Sequence, residues 1–194
     1  MSDTGAYGFM DTGAIVSTST ATEIFPTAET KPWLTGLPDD HNIYNLIGRV
    51  ASDWAHVEHL FDLIIWKMLG TDSARGACVT AQVMSAFGRC KAIVALLTHH
   101  QQKTGKDMSG LIDKTTELMN KSSSLSDRRN RIVHDPWYVI TANDAPAQFR
   151  AMPHKDHRFG IHPIDATAIS ETLTDIKKYF DRVDALRHAI SAAL

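Results

Sequence analysis

From Asp39 and Asp40 onward, apolar residues return every three or four positions, and Ile43, Ile47, Val50, Trp54, Val57, Phe61, Ile64, Ile65 and Met68 fall on one stripe. That spacing predicts a long amphipathic helix with the two aspartates as N-cap residues and Gly70 as its stop. After Asp72 a second stripe of Val79, Val83, Ala86, Cys90, Ile93, Val94 and Leu97 predicts one continuous helix up to the polar run His99 to Gly105. A third helix is expected from near Asp107, carrying Leu111, Ile112, Thr115, Leu118 and Met119, with a break at Ser122 to Ser124, then Leu125, Ile132 and Val133. Pro136 must end it, because proline lacks a donor and disfavours the α conformation at Asp135. Trp137 to Ile140 is β-prone, Asn143-Asp144-Ala145-Pro146 is turn chemistry, and Phe149 to Met152 reads as the return strand. Asp165 caps a last helix with Ile169, Leu173, Ile176, Phe180, Val183 and Ile190 on one side. The expected fold is all-α: a four- to five-helix up-and-down bundle with a small β-hairpin inserted before the last helix.

Residues 1–38 break this pattern. They hold eleven Ser or Thr, four Gly and three Pro with no sustained period, which predicts an extended or disordered arm whose end Trp33 and Leu34 anchor on the body. Residues 39–194 then form a single domain, the size expected for one core. A formal net charge of −2 argues against a dedicated duplex-DNA binder, whose footprint is strongly basic. No apolar run reaches the roughly 18 residues of a membrane helix, since Asp53, Glu58, Asp62 and Lys67 interrupt the most hydrophobic stretch. No secretory leader is visible. The two cysteines, Cys78 and Cys90, are placed in one helix roughly 18 Å apart, too far to bridge, so a reduced, cytoplasmic protein is expected.

Three features carry candidate chemistry. Asp-Thr-Gly-Ala occurs at Asp3 to Ala6 and again at Asp11 to Ala14, like an aspartic-protease signature. That reaction needs two carboxylates about 3 Å apart on separate β-lobes, which this chain does not supply. His154, His157 and His162 near the hairpin lack a cysteine or carboxylate frame, and His56 and His59 point away from the first helix's stripe, so no metal and no other cofactor is expected. The third feature is Arg129-Asn130 followed by His134, an Arg-x4-His spacing at the end of the third helix just before the helix-ending proline.

Cleaving RNA without a metal needs a base for the 2′-hydroxyl, an acid for the departing 5′-oxygen and fixed positive charge for the phosphorane. His134 suits either proton role, Arg129 offers a forked cation matched to phosphate oxygens, and Asn130, one turn below, is placed to orient the imidazole or the substrate. Arg128 and Arg131 are expected to steer phosphates. The motif and the helix order resemble the HEPN superfamily, helical-bundle domains that include toxin RNases, and the resemblance covers residues 40–194. It implies a metal-independent endoribonuclease acting on single-stranded RNA in stress response or defence. It also implies a homodimer whose two His134 side chains share a cleft, and an antitoxin protein as partner. One departure bears on control: some HEPN toxins carry a modified tyrosine two residues after the motif histidine, where this chain has Pro136, with Tyr138 two residues further on. The competing reading is a noncatalytic module binding a nucleotide or protein. There Arg129 faces the core and needs a carboxylate, with Glu58 as the first candidate and Asp62 as the second, the set forming a structural ion-pair network.

Overall fold

The computed structural model describes residues 34–152 and 158–194. They form a mostly helical molecule of five helices with a small four-stranded antiparallel sheet: β1 (Leu34–Gly36), α1 (Ile43–Leu69), α2 (Ser73–Thr80), α3 (Ala86–Thr104), α4 (Ser109–His134), β2 (Trp137–Ile140), β3 (Ala145–Met152), β4 (Arg158–Pro163) and α5 (Ala166–Ala193). The Asp-Thr-Gly-Ala copies, His154 and His157 lie outside the described residues.

The stripe of α1 is buried as its period dictates, with Ile43, Val50, Trp54, Val57, Phe61, Ile64 and Ile65 all in the core. α1 packs against α3, α4 and α5, and α4 lies against both α3 and α5. The Tyr179 hydroxyl of α5 donates to the Leu118 carbonyl of α4 at 2.9 Å inside that core. Gly70 ends α1 in the left-handed conformation (φ 62°), as expected. Asp39 and Asp40 do not cap it. α1 starts at Ile43, where the Ile43 amide donates to His41 Nδ1 at 3.2 Å instead.

The expected second helix is two. Asp72 caps α2 through the Ala74 and Arg75 amides, and Ser85 caps α3 by accepting the Gly88 amide at 3.1 Å. What fixes α2 is Trp66 of α1. Its indole donates to Thr80 Oγ1 at 3.2 Å, and its ring lies where a Cβ on Gly76 would meet it at 2.5 Å. Held that way, α2 leaves Val79 exposed, and Cys78 and Cys90 belong to different helices, the first exposed and the second buried, both free thiols. Burial pushes the Cys90 thiol up to about 12. The expected break at Ser122 to Ser124 is absent, because Ser122 is buried and its hydroxyl donates to the Met119 carbonyl within an unbroken α4.

The hairpin is part of a larger sheet of order β1-β2-β3-β4. Its turn carries Asp144 at φ 51°, and the Asn143 side chain accepts the Ala145 amide at 3.2 Å. The return strand starts at Ala145 rather than Phe149, while β1 comes from the end of the expected arm. Alternation gives the sheet two faces. Ile140, Ala147 and Ile161 form a small second core with Leu34, Tyr138 and Phe149. The register Trp137↔Gln148↔His162 sets a polar row on the other face, and Arg150 follows Gln148 by two residues.

Candidate functional site

The site is built on the last two turns of α4, and the sheet holds them in place. Pro136 forces Asp135 out of the helix (ψ 140°), leaving carbonyls at the helix end to be satisfied from outside. The Arg131 carbonyl accepts the Asp135 amide at 3.0 Å and Gln148 Nε2 at 2.9 Å, and the Ile132 carbonyl accepts the Trp137 indole at 2.9 Å. Gln148 is fully buried, a polar residue placed in the sheet for this contact. Arg131 and His134, both in the last turn, complement the negative end of the helix dipole.

Arg129, Asn130 and His134 come together on this end. Arg129 Nη1 donates to Asn130 Oδ1 at 2.8 Å and lies 3.2 Å from His134 Nε2. A guanidinium has no acceptor, so in this contact Arg129 donates and Nε2 accepts. His134 and Asn130 are exposed, while Arg129 is half-buried with its Nε enclosed and without a partner. Asn130, expected to orient the imidazole or the substrate, is bonded to Arg129, which in turn meets the imidazole.

The expected carboxylate partners of Arg129 are engaged elsewhere. Asp62 accepts Arg89 Nε at 2.7 Å, and Glu58 lies 3.9 Å from Arg89 Nη1, which forms an inter-helix pair between α1 and the first turn of α3. Arg89 reaches that edge of α1, whereas the Arg129 guanidinium folds back along its own helix. Among the described residues Arg129 makes no ion pair. The two expected steering residues part company: Arg128 pairs with Asp175 of α5 at 2.8 Å, and Arg131 makes no ion pair among the described residues, its charge acting on Arg150.

Sequence reasoning missed the groups that surround Arg131. Burial, followed by the neighbouring Arg131 charge, holds the Arg150 guanidinium below its ordinary range, and Asp135 opposes this. Burial pushes the Asp135 carboxyl up against the pull of Arg150, Arg131 and His134. Burial, then Arg150 and Arg131, push the His162 imidazole down. The available signal was the strand period, which puts Gln148 and Arg150 on one face of β3. His56 and His59 are exposed, the latter edge-on to Trp66 with ring centres 5.7 Å apart. Among the described residues no helix is long and apolar enough to cross a membrane, and no three His, Cys, Asp or Glu gather as a metal-binding set. Comparison with family models, curated proteins and solved structures returns no match to this chain.

Proposed function

We propose that the chain is a HEPN-like, metal-independent endoribonuclease that acts on single-stranded RNA, with His134 and Arg129 at its centre. The observation that carries this reading is the Arg129–His134 contact at 3.2 Å on an exposed helix end. It sets an imidazole, which can move a proton, directly beside a forked cation matched to phosphate, and a phosphate that draws the guanidinium away leaves Nε2 open as the base. His134 takes the 2′-hydroxyl proton as that oxygen attacks phosphorus, forming the 2′,3′-cyclic phosphate and breaking the bond to the 5′-oxygen. The leaving oxygen receives its proton from an acid, assigned here to His134 of a second copy across a homodimer cleft. Arg129 then faces the phosphorane with its fork, and Asn130 fixes the plane of that fork.

The finer architecture belongs to the same reading: α1, α3, α4 and α5 run up and down, with the hairpin strands between the last two. It is supported by ties at matching heights, Arg89–Asp62, Arg182–Glu117 at 2.9 Å and Arg128–Asp175. A cytoplasmic stress or defence setting with an antitoxin protein as partner follows from the HEPN likeness. The rival reading, in which the motif is an ion-pair network, loses both of its named carboxylates to Arg89.

The test is cleavage of single-stranded RNA in EDTA. Wild type is expected to release 2′,3′-cyclic phosphate ends, and His134→Ala to be slower by about 10²–10⁴-fold. Arg129→Lys keeps the charge but loses the fork, and is expected to fall about 10²-fold. Equal cleavage by wild type and His134→Ala would assign the activity to a contaminant and end the proposal.

A further inference from the structure

Beside the Arg129–His134 face, α4 helps enclose a cavity of about 280 Å³ whose walls include Arg128, Arg131 and Ile132 of α4, Arg150 of β3, Ile164 ahead of α5 and Ile169 within it. Among the described residues its positive charge is only partly neutralised. Arg128 has Asp175, but Arg131 makes no ion pair or side-chain hydrogen bond among the described residues. Among the described residues Arg150 donates to the neutral Gln148 amide oxygen alone, at 3.4 Å from Nε and 3.2 Å from Nη2. The nearby carboxylates do not close the gap. Glu171 also lines the cavity but is exposed, and Asp135 acts on both guanidiniums without forming an ion pair to either. Arg131 is exposed and Arg150 is half-buried, so an anion that enters between them meets one solvated guanidinium and one whose partial burial strengthens the attraction.

Two adjacent guanidinium forks match the oxygens of a phosphate, each able to donate two parallel hydrogen bonds. The floor is a different chemistry. Ile132 and Ile164 keep a small exposed edge (6% and 8%) above the fully buried Ile169, an apolar strip that a bare ion leaves empty and that the carbon face of a sugar covers. The volume lies just under the roughly 300 Å³ at which small-molecule pockets begin, enough for a phosphate with the sugar attached to it.

We infer that this cavity binds the sugar-phosphate of a nucleotide, with the phosphate between Arg131 and Arg150 and the sugar against Ile132 and Ile164. The cavity lies beside the cleavage centre and shares Arg128 and Arg131, the expected steering residues, with that reading, while neither Arg129 nor His134 lines it. A free mononucleotide and one unit of a single strand present the same group.

Calorimetric titration of the full chain tests this with four probes: 5′-AMP, adenosine, inorganic phosphate and a single-stranded DNA oligonucleotide, which lacks the 2′-hydroxyl and so resists cleavage. AMP or the oligonucleotide is expected to bind more tightly than adenosine or phosphate, and the tighter of the two names the source of the group. Arg131→Gln and Arg150→Gln are each expected to weaken that binding about tenfold, and His134→Ala to leave it unchanged. Arg131 is exposed and its side chain makes no ion pair or hydrogen bond among the described residues, so Arg131→Gln keeps the test valid if Arg150→Gln unfolds. Absence of AMP and oligonucleotide binding, full affinity in folded Arg131→Gln, or an equal loss in His134→Ala would overturn the assignment. Phosphate binding as well as AMP would remove the sugar from it. Loss of RNA cleavage with AMP binding intact bears on the nuclease alone.

Discussion

Two arginines in this chain live in opposite electrostatic settings, and their stabilities should diverge. Arg89 is mostly enclosed with Asp62 at 2.7 Å, so Arg89→Ala leaves a poorly solvated carboxylate behind and is expected to cost about 3 kcal/mol. Arg129 bonds only to exposed neutral groups, so Arg129→Ala is expected to cost under about 1 kcal/mol while abolishing cleavage. Urea unfolding of both variants checks the pair; equal losses would restore a structural role to the motif. His162 gives a second residue-scale prediction. Its imidazole is pushed below the ordinary 6.5 by burial and by Arg150 and Arg131, so the unfolded chain binds its proton first on acidification. Stability from this group is therefore complete above about pH 6.5 and is lost as pH falls below it. Asp135, pushed up, works in the other direction, gaining stability as pH falls towards the ordinary 3.8. Between pH 7 and 5, wild type should lose more stability than His162→Gln; parallel urea midpoints across that range would refute the account. The motif itself was legible because Arg129, Asn130 and His134 lie within two turns of one helix, where spacing fixes proximity. The partner of Glu58 and Asp62 was not, since Arg89 is brought there by the path of the chain between α1 and α3, which no local period encodes.

Among the elements, the junction of α4 with the sheet decides where the motif points. Gln148 sits fully buried, giving a proton to the Arg131 carbonyl and taking hydrogen bonds from Arg150. Gln148→Leu preserves bulk but leaves the Arg150 guanidinium with no acceptor, and is expected to cost about 1–3 kcal/mol by urea denaturation, with the α4 end loosened. A neutral or stabilising outcome would mean the sheet does not anchor the helix. Long stripes such as that of α1 could be read directly, because the hydrophobic period is repeated over many turns. The division of α2 from α3 could not: the apolar spacing runs on through the break, and Ser85 as a cap and Gly76 under Trp66 matter only once α1 is in place. β1 and β4 escaped for a related reason. Three residues at the end of an arm, and a segment containing Gly160 between Phe159 and Ile161, carry too little alternation, and they become strands by pairing with β2 and β3.

For the whole molecule, the sign and placement of charge matter more than its sum. A net charge of −2 gives no general attraction to RNA, so attraction must come from the cationic end of α4 and the neighbouring cavity, where Arg131 and Arg150 make no ion pair among the described residues. One chain supplies one His134, and acid–base cleavage of a phosphodiester uses two proton-transfer groups. A two-fold dimer supplies the second by symmetry, placing the same face of both copies around one substrate. This makes subunit mixing diagnostic. If wild type is mixed with an equal amount of His134→Ala and allowed to exchange, and each site needs both histidines, only doubly wild-type dimers cleave. Activity per total wild-type chain should then fall to about one half of the unmixed value, and about one quarter of all dimers should be active. Activity that stays proportional to the wild-type chain present, with exchange verified by light scattering or tagged subunits, would show that His134 acts within one copy and would leave the dimer without a catalytic part.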